Sequence, residues 1–142
     1  MELDQKTGVL YAINNETKKL YSLDLKVKNA APKILATLTA PPSEYQVNQP
    51  TDIAMDGNNI YYLDSGALYQ VNLAAGGAIS VISAGQTSAL PYPDGYAPIG
   101  IAALGEHMDI DHRNKIAWIT NKKGGALIAV SLITGDRIVV SQ

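Results

Sequence analysis

The chain has 142 residues, 46% hydrophobic and 17% charged, with a formal net charge of -2 and a sequence pI of about 5.6. These are the values of one soluble globular domain long enough to bury a core. It has no cysteine, which excludes disulfides, thiolate catalysis and Cys-ligated metal. Basic residues gather only as the pairs Lys18-Lys19 and Lys122-Lys123, so no nucleic-acid surface is expected. No apolar run approaches the roughly 20 residues that span a bilayer. Met1-Glu2-Leu3-Asp4 leads straight into patterned sequence, so no signal peptide is expected at this start.

In chain order, Gln5-Lys6-Thr7-Gly8 reads as a turn with Gly at a positive φ. Residues 9–13 and 20–25 read as strands by their β-branched, aromatic and period-two content. Residues 33–38 make a third strand. Residues 40–50 hold three prolines, Pro41, Pro42 and Pro50, which cannot sit in a central strand. They form a long connection of the kind that often carries function. The stretch PTDIAMDGNNIYYLDSGALYQVNL then predicts strands over 51–55, 60–63 and 67–73, with an Asp-Gly hairpin turn between the first two. Residues 78–83 add a fourth strand. A second long connection, 84–98, is rich in proline and tyrosine. Beyond it come 99–102, 103–108, the segment 109–115 with a turn after Asp111, and strands at 116–120, 126–132 and 137–141.

The central pattern recurs near both ends of the chain. Asp4, Asp56 and Asp111 align before a turn, spaced by 52 and 55 residues. Leu10, Ile60 and Ile116 align, as do Ile13, Leu63 and Ile119. So do Leu20, Leu68 and Leu127; Leu23, Val71 and Val130; and Leu25, Leu73 and Leu132. Pro50-Thr51-Asp52-Ile53-Ala54 matches Pro98-Ile99-Gly100-Ile101-Ala102. A period near 50 with four short strands per unit specifies an all-β fold, a β-propeller built of about three four-stranded antiparallel blades. The whole chain, 1–142, is one propeller region with blades near 1–39, 50–84 and 98–142. Ile60, Tyr61, Tyr62 and Leu63 are consecutive, so both faces of the central blade must be covered. Stacking blade on blade does this.

IAMDGNNIYYLDSGALYQVNL resembles the blade pattern of the six-bladed propellers grouped as NHL, YWTD and gluconolactonase-like proteins. MDIDHRNKIAWITNKKGGALIAVSLITGDRIVVS resembles another such blade. The resemblance covers nearly the whole chain and implies half, or a fragment, of a six-bladed ring, with an extracytoplasmic setting favoured. It also implies a divalent metal held by acidic and Asn side chains, one of them from a Pro-Asp-Gly motif at an inner strand's entrance. Thr51 and Ile99 stand where that Asp belongs. Pro93-Asp94-Gly95 carries the motif out of register, inside the second long connection.

Candidate sites follow. The aligned aspartates suit turns, where a carboxylate accepts backbone N–H groups two residues on. His107, Asp109 and Asp111 share one strand face at i, i+2, i+4 and are weak metal candidates. Trp118 aligns with Tyr62 and Ala12 and reads as core between blades. The long connections 40–49 and 84–97 both run from an outer strand to the next inner strand. They bring Tyr45, Tyr92, Asp94 and Tyr96, with Asp52 at the strand entrance, as candidate ligand-binding residues. The expected function is a non-enzymatic binding or scaffold propeller that recognises a protein or small-molecule ligand through this loop face, with no cofactor required. The alternative is a metal-dependent lactonase or esterase. Three blades do not close a ring, since closures use about four to eight. The expected partners are therefore a second copy, making a homodimer, or the remaining blades of a longer parent chain.

Overall fold

The computed structural model describes residues 1–38, 50–64, 67–84, 107–121 and 125–141. The first sheet holds β1 (Glu2–Asp4), β2 (Val9–Asn14), β3 (Lys19–Asp24) and β4 (Lys33–Thr37). The second holds β5 (Pro50–Asp56), β6 (Asn59–Asp64), β7 (Ala67–Asn72) and β8 (Ala78–Ala84). The third holds β9 (His107–Asp111), β10 (Ile116–Asn121), β11 (Ala126–Ser131) and β12 (Arg137–Ser141). Every sheet is an antiparallel meander whose strands lie in chain order. One 3₁₀ turn, Leu73–Ala75, is the only helix among the described residues. The expected all-β fold of three four-stranded units is what the chain adopts.

The hairpin turns explain the repeat. In the first and third sheets the opening turn spans four residues, with Asp4 opposite Val9 and Asp111 opposite Ile116. Asp4 Oδ1 accepts from the Lys6 and Thr7 amides, and Asp111 Oδ1 from the Arg113 and Asn114 amides. In the second sheet Asp56 lies opposite Asn59, leaving only Gly57 and Asn58 in the turn. Gly57, at φ 61, supplies the left-handed conformation such a turn needs. The third strand of each unit ends on a polar cap: Asp24 accepts from the Lys26 amide, Asn72 from Ala75, and Ser131 from Ile133 and Thr134. The next residue then ties back to the opening turn. Leu25, Leu73 and Leu132 donate to the carbonyls of Gly8, Asn58 and Lys115 at 3.0, 2.9 and 2.8 Å.

The pairing corrects the overlay in three places. Glu2–Asp4 is a strand, set opposite Tyr11, Leu10 and Val9, so the first unit has its inner strand. In the third unit Ile116 takes the place of Val9 and Asn59, so Ala117 matches Leu10 and Ile60, and Thr120 matches Ile13 and Leu63. The overlay was one residue out there, because the two-residue turn of the second unit is shorter than its neighbours. Trp118 therefore matches Tyr11 and Tyr61, not Ala12 and Tyr62. The matches along the third strands hold, with Leu20, Leu68 and Leu127 opposite Ile13, Leu63 and Thr120. Finally, the strand equivalent to Pro50–Asp56 is His107–Asp111, which puts His107 in the place of Asp52. Residues 98–102 lie outside the described residues.

The second sheet is covered on both faces. Ile53, Ile60, Tyr62, Ala67, Tyr69 and Val71 pack on Leu20, Ala36 and Leu38 of the first unit. Ala54, Tyr61, Leu63 and Leu68 pack on Met108, Ile110, Ala117, Ile119, Ile128 and Val130 of the third. Tyr62 and Tyr69, a cross-strand pair, stack with ring centroids 4.9 Å apart. Side chains alternate along a strand, and Ala117 and Ile119 face the second sheet. Trp118 hence points to the opposite side, half-buried. That corrects its expected place between blades: among the described residues it lies on the uncovered face of the third.

Each fourth strand carries a β-bulge at the same place. The register shifts between Leu20 and Tyr21, between Leu68 and Tyr69, and between Leu127 and Ile128. The residues left out of the ladder are Leu35, Ile82 and Val140. A turn glycine of the following unit approaches two of these bulges. A Cβ on Gly77 would stand 2.5 Å from the Leu35 carbonyl oxygen, and one on Gly135 would overlap the Ile82 carbonyl oxygen. Both glycines also have positive φ, 86 and 76. Local bend, backbone approach and glycine thus coincide at both sheet-to-sheet contacts.

Candidate functional site

Pairing fixes one end of each sheet. Pro50 lies opposite Asp64, and Ala84 opposite Ala67, so β5 begins and β8 ends beside the β6–β7 turn. His107 opposite Thr120 and Thr37 opposite Lys19 obey the same rule in the other sheets. Both long connections are therefore tethered at this end. Their tyrosines Tyr45, Tyr92 and Tyr96, together with Asp94, lie outside the described residues, as does the turn at Lys122-Lys123.

Asp52 is the site candidate the structure places most closely. Its Oδ1 accepts from its neighbour Ile53 at 2.9 Å, and its Oδ2 from the Met108 amide of the third unit at 2.8 Å. His107 Nδ1 stands 3.9 Å from the same Oδ2 and is largely exposed. Asp52 thus holds two inner strands together, with His107 available above it. Glu2 of β1 is influenced by the same strands: burial pushes its carboxyl up, the chain's amino group pulls it down, and Asp109 and Asp52 push it up further.

The metal candidates His107, Asp109 and Asp111 are not brought together. Asp109 Oδ1 accepts from the Ile110 amide, and His107 leans toward Asp52. Asp111 is occupied by its own turn, its Oδ2 accepting from Asn114 Nδ2 at 2.7 Å. Among the described residues no group of three His, Asp or Glu side chains is arranged to hold a metal ion. The Asn114 amide side chain and turn backbone hold the Asp111 carboxyl below its usual range, and the Thr7 hydroxyl does the same for Asp4. Both aspartates serve turns, as their spacing predicted.

Asp56 differs. Its two-residue turn offers no amide at the right place, and the carboxylate reaches the third unit instead. It lies 2.5 Å from Lys115 Nζ and 3.2 Å from His112 Nδ1. Burial pushes its carboxyl up, but the hydrogen bonds and charges of Lys115 and His112 outweigh this and hold it below the carboxylate range. Sequence reasoning gave Asp56 a turn role and missed this link. The cue was present: a two-residue turn cannot use its preceding carboxylate as a four-residue turn does.

An open groove of about 390 Å³ lies on the first sheet, lined by Leu10, Ala12, Tyr21, Leu23 and Pro32 among others. Leu10, Ala12, Tyr21 and Leu23 match Ile60, Tyr62, Tyr69 and Val71, the residues with which the second sheet packs on the first.

No family model matches the chain, and no curated protein matches it. Solved structures do. The chain is similar over 99% of its length to a chain of the nidogen/laminin complex, at 14% identity and a TM-score of 0.66, covering 46% of that chain. It is similar over 99% to the N-terminal domain of Nup159, at 13% identity and TM-score 0.57, covering 33% of it. It is similar over 97% to a putative 6-phosphogluconolactonase from Bacteroides fragilis, at 14% identity and TM-score 0.56, covering 36% of it. The chain spans about a third to just under half of the solved chains it matches. At such identities the likeness carries the fold alone, and the fold is that of a β-propeller segment. Each four-stranded meander described above is one blade.

Proposed function

We propose that this segment is a non-enzymatic binding scaffold that recognises a protein partner through the face where its long connections emerge. One observation carries the reading. The stretches that join β4 to β5 and β8 to β9, which include the expected connections 40–49 and 84–97, are tethered at the end of the sheets where each first strand begins and each fourth strand ends. On such a face Tyr45, Tyr92 and Tyr96 offer apolar area and a hydroxyl at low entropic cost, with Asp52 and Asp94 as polar contacts. Two of the similar structures are named as parts of protein complexes, the nidogen/laminin pair and a Dbp5–Nup159–Gle1 assembly that also holds IP6 and ADP, which is in line with a protein ligand.

The test is a comparison of the wild-type chain with the triple variant Tyr45→Ala, Tyr92→Ala, Tyr96→Ala. Each is immobilised and exposed to extract from its source. Specific retention by the wild type, lost in a variant with unchanged circular dichroism and melting temperature, supports the reading. Identical retention profiles sink it. A rise in melting temperature on adding Ca²⁺, Mn²⁺ or Zn²⁺ would instead favour the metal-dependent hydrolase.

A further inference from the structure

We propose that Asp56-Gly57 is a site of spontaneous isoaspartate formation that His112 and Lys115 of the third unit keep closed. The chemistry needs an aspartate followed by a residue whose amide nitrogen is open to attack, and glycine supplies this because it has no Cβ. The chain holds two such pairs, Asp56-Gly57 and Asp94-Gly95. At the equivalent turns of the other units the aspartate is followed by Gln5 or His112, and its carboxylate is held by amides of its own turn. Of the three, only the second unit's turn sets an aspartate beside a glycine. Gly57 is exposed, at φ 61, with no atom within 4 Å of where a Cβ would stand.

The step is a condensation followed by a hydrolysis. The Gly57 nitrogen bonds to Asp56 Cγ, its proton and the carboxyl hydroxyl leave as water, and a five-membered succinimide closes. Water then adds to one of the two ring carbonyls. Opening at the former backbone carbonyl leaves the chain running through Cβ and Cγ, with the carboxylate now on Cα. Only a protonated carboxyl can lose its oxygen as water, and Cγ has to swing over the Gly57 nitrogen. His112 and Lys115 oppose both requirements. They take one carboxylate oxygen each, Oδ1 at 3.2 Å and Oδ2 at 2.5 Å, and so turn the group into the third unit. Burial pushes the Asp56 carboxyl up, but these bonds and charges outweigh it and keep the group ionised at neutral pH. The isoaspartate adds one carbon to the main chain of a turn with two residues between Asp56 and Asn59. Its carboxylate is also one carbon shorter in reach, so the link to the third unit does not re-form.

The test ages three proteins at neutral pH: the wild-type chain, the double variant His112→Gln with Lys115→Met, and Leu20→Ala. Wild type unfolded in urea is aged beside them. Isoaspartate at position 56 is read by peptide mass spectrometry with electron-transfer fragmentation. It is expressed as a ratio to isoaspartate at Asp94-Gly95 in the same sample, a pair outside the described residues that serves only as the reference. The folded wild type is expected to show a ratio about tenfold or more below that of the unfolded chain. The double variant should raise the folded ratio by about threefold or more. Leu20→Ala weakens the packing of the first unit on the second and leaves His112 and Lys115 in place, so it should not raise it. A wild-type ratio equal to the unfolded one, an unchanged ratio in the double variant, or an equal rise in Leu20→Ala overturns the proposal. If circular dichroism shows the double variant unfolded, Lys115→Met alone is read in the same way.

Discussion

Asp56 and Tyr62 show how one side chain can be read differently from its repeat. Asp4 and Asp111 satisfy their own turns, whereas Asp56 ties the second unit to Lys115 and His112 of the third. Its folded carboxyl titrates below the ordinary value. The stability this supplies is therefore present above the unfolded value near 3.8 and lost as pH falls through the folded one. Asp56→Asn is expected to cost about 1 kcal/mol at pH 7, because Lys115 is partly exposed and water screens the pair. The gap between variant and wild type in urea melts should close below about pH 4; a gap unchanged at pH 3 would show that the charge is not its source. Tyr62 is fully buried, and its hydroxyl finds no hydrogen-bond partner among the described residues. Burial pushes its phenol well up. Tyr62→Phe removes a desolvated polar atom and keeps the stacked ring on Tyr69. The melt should be unchanged or gain up to about 1 kcal/mol, and a clear loss would reveal a partner for the hydroxyl.

At the scale of strands, legibility followed pattern length. Apolar and β-branched runs such as residues 60–63 and 126–132 located their strands to within a residue or two. The repeat overlay found the third-strand leucines correctly. It failed at β1, where three residues are too few to show alternation, and at β10, where an uneven turn length moved the match by one. The bulges were invisible, since Leu35, Ile82 and Val140 read as ordinary strand residues. Gly77 and Gly135 close turns of their own units, but the carbonyl each one meets belongs to another unit. Of the site, the turn aspartates were legible because the hydrogen bonds are local. Asp52 reaching Met108 spans 56 residues and left no local trace. The corrected overlay makes its own prediction. Leu68 and Leu127 occupy the same repeat position, but Leu68 is fully buried while Leu127 lies half-exposed on the open face. Leu68→Ala should cost about 2–4 kcal/mol and Leu127→Ala about 1, as read from denaturant midpoints. Equal costs would mean that the face of the third sheet is already covered.

Over the whole molecule, burial falls from the middle outward. The aligned leucines mark the gradient: Leu132 is 8% exposed against the second unit, while Leu25, with no described unit before it, is 54% exposed. Units that bury their faces only on neighbours are held least where they have one neighbour and most where they have two. Loosening should therefore start in the outer sheets, so amide exchange is expected to be slowest over residues 60–63 and faster over 9–13 and 137–141, and equal rates in all three sheets would show that the outer faces are held as firmly as the inner ones.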